Sequence, residues 1–458
     1  MTFESFKEAC FKAALEKGCE AAEVFFREDE SFSVNVLNSE ISKYTSAHAY
    51  GLNLRVVFGG KTGYAYTEVF DNADALVESA IDNARVIENN DENPMQSKCE
   101  YPTINQKQNP VADMSESKKI ELALRLERDT LDFDDRVNRV AYCAVETGVE
   151  TTRIHNTYGL CADKENKYSV AVIEPILRIG EDERESFAFK FGSGMLDCGD
   201  IIKESVDNAL MQFHASAVDS GEYRVLLRSD AATDLLSAFS SMFSADSVQK
   251  GLSLLKDKLG ERIANPCISI IDDPFEEDDP RAFDAEGTPS VKTVVVEDGI
   301  LKSFLHNLKT ARKAGVASTS NAGRAGVASP VGVSPSNFFI AKGEKSYDTL
   351  VSELDSGIVV TELGGLHSGL DPVSGDFSLI AKGLLVEQGS VIRSVDQITC
   401  AGNFLSLMNS VIAAGSDLRF GFPGGGRVGS PSLLVEKLMI TGKYSTLRLI
   451  VFKCPEPV

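Results

Sequence analysis

The sequence has no long apolar run and no cluster of basic residues, and each absence excludes a class of protein. None of its apolar stretches approaches the roughly 18 residues that a membrane-spanning helix needs. Its 46 basic residues are spread among 68 acidic ones, giving a net charge of −22, so no basic stripe could neutralise nucleic-acid phosphates. The start, MTFESFKEAC, lacks the basic and apolar regions of a secretory signal. We therefore expect a cytoplasmic protein with no membrane segment and no direct nucleic-acid partner.

Local metal-binding patterns are also lacking. The nine cysteines, spread from Cys10 to Cys454, include no C-x-x-C pair, which argues against a disulfide framework and against a zinc knuckle. No histidine lies within ten residues of another, so local spacing unites no two of them on one ion. The five histidines are His48, His155, His214, His306 and His367. We expect reduced thiols and histidines that hold no metal.

Two familiar catalytic or cofactor motifs fail when their context is considered. Residues 424–429 satisfy G-x-G-x-x-G, but a dinucleotide site needs a helix after the glycines, and the following SLLVEKLMI predicts a strand. No G-x-S-x-G nucleophile elbow is present. The neighbouring His367 and Ser368 lie in a turn-rich segment with no obvious third member of a triad.

The acidic stretch DDPFEEDDPRAFDAEG could supply paired carboxylates or bind a hard cation. However, Pro274, Pro280 and Gly287 predict an exposed loop, in which charges are ordinarily solvated. Asp284 and Glu286 precede a glycine and a strand, which favours capping or turn roles for both carboxylates.

The order of predicted elements divides the chain into three parts. Its 458 residues are 43% hydrophobic, enough for two or three domains. Residues 1–105 read as a helix, a set of strands and a closing helix, and residues 106–218 repeat that order after a polar linker. The closing helices share letters, LVESAIDNA against IIKESVDNA, which indicates a duplicated helix and antiparallel-sheet unit.

The third part, residues 219–458, begins with a helical region that extends to about Gly260 and continues as short strands broken by glycine and proline. Strands at this spacing predict a mainly β domain that resembles a barrel or a sandwich. The fold class is therefore α+β.

The first helix of that third part, ATDLLSAFSSMFSADS at residues 232–247, is chemically inert. Its large apolar residues recur at helical spacing, with serine and alanine between them. Apart from the aspartates at its edges, nothing in it binds a metal or moves a proton.

Several longer stretches resemble the TldD/PmbA family, also called modulators of DNA gyrase. FDAEGTPSVKTVVVEDGILKSFLHNLKTARKAGVASTSNAGRAG and GIVVTELGGLHSGLDPVSGDFSLIAKGLLVEQGSVIRSVDQITCAGN are similar to its C-terminal signature. AAEVFFRE and NSEISKYTSAHAYGLNLRVVFGGKTGYAYTE resemble its N-terminal domain. The resemblance covers nearly the whole chain. It implies a cytoplasmic peptidase system in which TldD-type and PmbA-type (TldE-type) chains together trim unstructured peptides, including a microcin precursor and an antitoxin.

The resemblance also implies a role for the inert helix. In TldD-type members a Leu-Leu pair precedes H-E-x-x-x-H, whose histidines hold zinc and whose glutamate polarises the bound water. If Leu235-Leu236 is that pair, Ser237, Ala238 and Met242 occupy the first histidine, the glutamate and the second histidine. A further thiolate ligand would fall near Phe422 and Pro423, whereas Cys400 and Cys454 lie elsewhere.

The resemblance thus implies a PmbA-type chain that lacks zinc and catalytic residues of its own, with zinc held by a TldD-type partner. The expected role is a non-catalytic subunit of a metallopeptidase heterodimer that helps to grip an extended peptide, by strand addition at a sheet edge. One alternative is a self-standing homodimer that binds peptides or proteins without cleaving them. Another is an independent hydrolase that uses residues such as Asp284, Glu286, His306 or His367.

Overall fold

The computed structural model describes residues 1–87, 94–192, 198–424 and 426–442. Its N-terminal half contains four helices and one antiparallel sheet of seven strands, in the order β3-β2-β1-β4-β5-β6 with β7 also paired to β5. The helices are α1 (Phe3–Glu16), α2 (Ala73–Val86), α3 (Glu116–Leu131) and α4 (Gly199–Leu210). The strands are β1 (Ala21–Leu37), β2 (Glu40–Phe58), β3 (Lys61–Thr67), β4 (Val137–Asn156), β5 (Cys161–Ile179), β6 (Asp182–Glu185) and β7 (Ala188–Gly192).

The two predicted N-terminal units share this sheet, because β1 of the first pairs with β4 of the second along residues 23–35. Two pairs of predicted strands are each one continuous strand in the structure. AEVFFRE and SFSVNVLN both belong to β1, and ISKYTSA and GLNLRVVF both belong to β2. The sequence obscures this continuity because residues 40–50 of β2 are exposed and carry no alternation of apolar and polar residues.

The four helices cover one face of the sheet. Alternate residues of β1 point into two cores, as the period of two in a strand requires. Ala22, Val24 and Phe26 lie in the core beneath α1 and α2, and Phe32, Val34 and Val36 lie in the core beneath α3 and α4. The closing helices α2 and α4 bury equivalent positions, which agrees with the predicted duplication. These positions are Leu76, Val77, Ala80, Ile81 and Ala84 in α2, and Ile201, Ile202, Ser205, Val206 and Ala209 in α4.

The C-terminal part is mainly β, which confirms the predicted fold class. Its helices are α5 (Ser229–Phe239), α6 (Ala245–Gln249), α7 (Leu308–Ala314), α8 (Tyr347–Leu354) and α9 (Phe404–Ser410). Its strands are β8 (Gly221–Leu227), β9 (Ile270–Asp272), β10 (Thr293–Glu297), β11 (Ile300–Leu301), β12 (Ala322–Gly323), β13 (Gly332–Val333), β14 (Asn337–Ile340), β15 (Gly357–Gly364), β16 (Asp376–Glu387), β17 (Ser390–Asn403), β18 (Val411–Ala414), β19 (Arg419–Phe420), β20 (Arg427–Ser430) and β21 (Leu433–Thr441).

Five of these strands close on themselves in the order β17-β16-β15-β8-β21, and the pairing of β21 with β17 completes the circuit as a small barrel. Within this circuit β8 and β15 are parallel, and the other pairs are antiparallel. A second sheet, β11-β10-β9-β14-β20-β19, lies in the same part of the chain. In the described residues no helix is both long and apolar enough to cross a membrane.

Helix α5 packs in the core between the barrel and the second sheet. Its apolar face joins one cluster with residues of both, including Phe377 of β16 and Phe338 of β14. The helical region is shorter than predicted, because α5 passes into a 3-10 turn at Ser240–Phe243 and α6 ends at Gln249. Gly251 follows with φ +73, a conformation that an α-helix cannot continue.

The face of the N-terminal sheet opposite its helices packs on the C-terminal part. Phe25 of β1 lies in a cluster with Leu160 and Phe283. Beside it, Glu23 and Arg55 are cross-strand partners that are each about 1% exposed, with Arg55 Nη2 2.7 Å from Glu23 Oε1. Glu286, from the C-terminal part, is close enough to influence the pKa of Arg55. A buried charge cluster therefore joins the two halves.

Candidate functional site

The three positions that the family resemblance equates with the zinc motif do not converge in the structure. Ser237 is exposed, Ala238 is half-buried and Met242 is fully buried in the core with Phe239 and Leu235. The α-helix ends at Phe239, and the tighter turn that follows directs Met242 into the core. The helical spacing of Leu235, Phe239 and Met242 already predicted that these three side chains share one apolar face.

Ser237 and Phe422 line one cavity of about 360 Å³, so the structure does bring the helix and the predicted thiolate position together. Among the described residues that line it, Asp234 is the one side chain of a metal-ligating type, and no imidazole or thiolate is present. A zinc ion needs three or four such donors. The residues at this position therefore do not fit a catalytic zinc.

Asp234, which the motif search did not single out, carries the unusual electrostatics of this cavity. Burial is the main reason that the pKa of its carboxyl is raised to about 6, and the charges of Asp230 and Glu362 contribute to this rise. Among the described residues it has no hydrogen-bond or ion-pair partner. Near neutral pH this carboxyl can accept a hydrogen bond when ionised and donate one when protonated. A strongly shifted, unpartnered group in a cavity is typical of a binding site.

We expect Asp234→Asn to stabilise the protein at pH 8 and to leave its stability at pH 4 nearly unchanged. The folded-state pKa of about 6 lies above the ordinary value of 3.8, so Asp234's contribution is fully present below 3.8 and is lost as the pH rises through 6. Because one pKa unit corresponds to about 1.4 kcal/mol and partial exposure screens the charge, the gain at pH 8 is about 1–2 kcal/mol. Urea unfolding at both pH values measures it. Equal effects at the two would contradict the assignment.

A second cavity, of about 390 Å³, adjoins the first through Thr233, Asp234 and Phe422. Its basic groups are already paired: Arg419 with Glu204 at 2.6 Å, and Lys382 with Glu362 at 3.0 Å. Aromatic rings form part of its wall. They are Phe187 and Phe189 from the N-terminal part, Phe420 at the end of β19 and Phe422 from the loop that follows β19.

The loop around Phe422 also borders a larger cavity, about 1100 Å³, which lies between the N-terminal sheet and the C-terminal part. Pro423 and Gly424 line that cavity as well. The Phe422 ring is 53% exposed and lies 5.1 Å from the Phe189 ring, centroid to centroid. Three neighbouring cavities thus share Phe422, and together they form a groove between the two halves of the chain.

The glycines of this loop serve close packing. Residues 427–430 form β20, which pairs with β14 and β19, so a strand follows the glycines as predicted and the dinucleotide motif lacks its helix. Gly425 lies outside the described residues. A Cβ on Gly426 would approach the carbonyl oxygen of Pro335 to 2.5 Å, which only glycine avoids.

The prediction that the acidic stretch is an exposed, solvated loop is wrong for its C-terminal end. Asp284 and Glu286 are each 3% exposed, because Phe283 packs on the N-terminal sheet and draws this segment into the seam between the halves. The predicted turn role of Asp284 is confirmed. Its carboxylate accepts backbone hydrogen bonds from Glu286, Thr288 and Ala322 at 2.9–3.0 Å.

Glu286 likewise serves the backbone, since it accepts a hydrogen bond from the Leu308 N–H at 2.8 Å. Burial and the neighbouring Asp284 raise the pKa of Glu286. His306 is 6% exposed, and burial lowers its pKa, so it is neutral at pH 7. His367 lies on the exposed turn after β15. Among the described residues these four groups form no nucleophile, base and acid arrangement.

Family models match the chain in three successive segments. They are PmbA/TldA metallopeptidase domain 1 at residues 22–84, the PmbA/TldA metallopeptidase central domain at 109–213 and the PmbA/TldA metallopeptidase C-terminal domain at 220–442. A Haemophilus influenzae protein named metalloprotease TldD homolog is 28% identical over 464 residues, which cover 94% of this chain and 95% of that protein.

Solved structures agree with this match. A Thermotoga maritima protein described as a candidate modulator of DNA gyrase is 34% identical, with a TM-score of 0.89 over 96% of this chain and 100% of that one. TldE from Thermococcus kodakarensis has a TM-score of 0.85 at 21% identity, covering 95% of this chain and 100% of that chain. The latter likeness concerns the fold alone.

Proposed function

Because the chain belongs to the TldD/PmbA metallopeptidase family, we propose that it is a PmbA-type (TldE-type) subunit without a catalytic zinc site of its own. In this role it associates with a zinc-bearing TldD-type chain and helps that partner to cleave unstructured peptides. We place this pair in the cytoplasm.

The proposal rests on which metal-ligating side chains line the cavity beside α5. The cavity that contains Ser237 and Phe422 offers a single carboxylate, that of Asp234, among its described lining residues. Without imidazole or thiolate donors, no bound ion lowers the pKa of a water molecule there, and hydrolysis has no activated nucleophile. The cavity itself is nevertheless present, which favours a binding role over a catalytic one.

Two surfaces support binding of an extended chain. The groove around Phe422 combines exposed aromatic surface with backbone and polar groups. Residues 40–50 of β2 pair with β1 on one edge, while β3 covers the other edge only from Leu52 to Phe58. An exposed strand edge of this length is a template for pairing with another chain. We assign the groove to the peptide and the free edge of β2 to the partner subunit.

Reconstitution with a TldD-type chain from the same genome tests the proposal. We expect the two chains to co-elute at micromolar concentrations on gel filtration. We also expect β-casein, an unstructured polypeptide, to be cleaved by the mixture and not by this chain alone. Stable self-association without binding of the TldD-type chain would instead favour the homodimeric binding module. Cleavage by this chain alone, abolished by a chelator, would contradict the proposal and favour an independent hydrolase.

A groove variant separates peptide binding from subunit assembly. Phe422→Ala is expected to raise the KM of the mixture for β-casein by about 10-fold, since loss of one buried aromatic contact costs on the order of 1–2 kcal/mol. Phe133→Ala is the matched control, because Phe133 is 47% exposed against 53% for Phe422 and borders none of the three cavities. Both variants should co-elute with the partner. Equal KM values for the two would remove the groove from the proposal.

A further inference from the structure

The end of the β4–β5 hairpin brings together three side chains that sequence spacing had separated. His155, near the end of β4, is the direct cross-strand partner of Cys161, the first residue of β5. Asp163 lies two residues further along β5, so its side chain is on the same face of the sheet as that of Cys161. In sequence the three read H-x5-C-x-D, a spacing that means nothing until the hairpin folds.

Their donor atoms converge on one point. The His155 Nε2 atom lies 2.7 Å from Asp163 Oδ1 and 3.4 Å from Cys161 Sγ, and the three ligand atoms are all within 4.8 Å of one another. A tetrahedral zinc ion holds its ligand atoms roughly 3.3–3.8 Å apart, as follows from bonds of about 2.0–2.3 Å. The Asp163 side chain is 54% exposed, so it can turn and lengthen its 2.7 Å distance from His155 Nε2 by the roughly 0.6 Å or more that this requires.

The same geometry argues against a nucleophile, base and acid relay. In such a relay the acid and the nucleophile contact opposite ring nitrogens of the histidine, whereas here the thiol and the carboxylate share Nε2. A thiol and a carboxylate that both contact one ring nitrogen are placed as ligands around a single metal ion would be.

The positive charge nearest the cluster is paired with two carboxylates. Lys7, on α1, places its ammonium 3.3 Å from His155 Nδ1, but Glu4 at 2.6 Å and Glu8 at 3.2 Å both pair with it. When an ion occupies Nε2, Nδ1 carries the proton and the Lys7 ammonium turns to these two glutamates. The imidazole itself is 5% exposed and so is held in place, while Cys161 and Asp163 are exposed and leave room for a water as fourth ligand.

We propose that His155, Cys161 and Asp163 form a zinc-class metal site at the rim of the N-terminal sheet. Sulfur, nitrogen and carboxylate donors together select a borderline ion such as Zn²⁺ over Mg²⁺ or Ca²⁺. This assignment departs from the expectation that the chain holds no metal, and it is independent of the proposed function. One consequence is that zinc found in the purified chain does not by itself indicate a catalytic centre.

Cobalt titration of the metal-free full chain tests the site, because Co²⁺ replaces Zn²⁺ and gives a thiolate charge-transfer absorption that Zn²⁺ lacks. We expect one equivalent to bind with that absorption and to be displaced by Zn²⁺. Cys161→Ser should abolish the band and weaken binding at least about 10-fold. Cys267→Ser is the matched control, since Cys267 is also an exposed thiol but lies in the C-terminal part. Both should keep the wild-type circular dichroism spectrum.

Two further variants sharpen the result. Asp163→Asn changes an exposed ligand without endangering the fold, and we expect it to weaken Co²⁺ binding at least about 10-fold. Lys7→Gln removes a neighbouring positive charge and should tighten binding by roughly 10-fold. The proposal is overturned if wild-type protein shows no thiolate band, if Cys161→Ser and Cys267→Ser behave alike, or if Lys7→Gln fails to tighten binding.

Discussion

Replacing Arg55 by alanine is expected to lower the free energy of unfolding by about 3–5 kcal/mol, the cost of leaving a buried charge without its partner. Arg55 and Glu23 are each about 1% exposed and lie in the seam between the N-terminal sheet and the C-terminal part. Burial alone would lower the pKa of Arg55, but Glu23, Tyr64 and Glu286 together outweigh it and the pKa rises. Without the guanidinium, Glu23 would remain buried without its ion pair, and Arg324 would be the cation left to interact with it.

A double substitution distinguishes a lost charge pair from lost volume. Glu23→Gln combined with Arg55→Met keeps the approximate size of both side chains and removes both charges, so we expect it to recover most of the stability lost in Arg55→Ala. Urea unfolding at pH 7 gives the three free energies. If the double variant is as unstable as Arg55→Ala, packing and not charge dominates this part of the seam.

Replacing Phe239 by alanine in the otherwise unchanged chain is expected to lower the free energy of unfolding by about 3–5 kcal/mol, because the loss of a fully buried aromatic ring leaves a cavity. Phe239 is 0% exposed. Its ring stacks on that of Phe404, with 4.7 Å between centroids, and meets the edge of the Phe377 ring at 6.2 Å. The helix therefore ties α9 to the barrel strand β16, and this packing accounts for its apolar face.

Ser237→Ala on the same helix is the control for Phe239→Ala. Ser237 is exposed and stands at the first histidine position of the family motif, so its replacement should change stability by no more than about 0.5 kcal/mol. Thermal and urea unfolding of both variants measure the contrast. A large loss in Ser237→Ala would show that this position has a structural or binding role that its exposure does not reveal.

The site was predictable where its features are local. The prediction that Ser237, Ala238 and Met242 occupy the first histidine, glutamate and second histidine positions of the family motif comes from the resemblance and the Leu-Leu pair alone, and it stays a prediction. The raised pKa of Asp234 was not readable, because it depends on burial together with Asp230 and Glu362. The resemblance did imply that Phe422 lies near this helix, but not that it also borders two further cavities.

Local patterns in the sequence were enough to predict four features. They are the buried face of α1, the matched buried positions of α2 and α4, the mainly β character of residues 219–458 and the turn role of Asp284. These follow from the helical and strand repeats and from turn chemistry, which neighbouring residues settle among themselves.

Contacts between distant segments could not be predicted in this way. The tertiary structure joined the two N-terminal units into one sheet through β1 and β4 and buried Asp284 and Glu286 in the seam. It also brought His155, Cys161 and Asp163 to one point. The physical reason is that strand pairing, burial and the register of a hairpin depend on contacts between residues far apart in the chain, which no local pattern encodes.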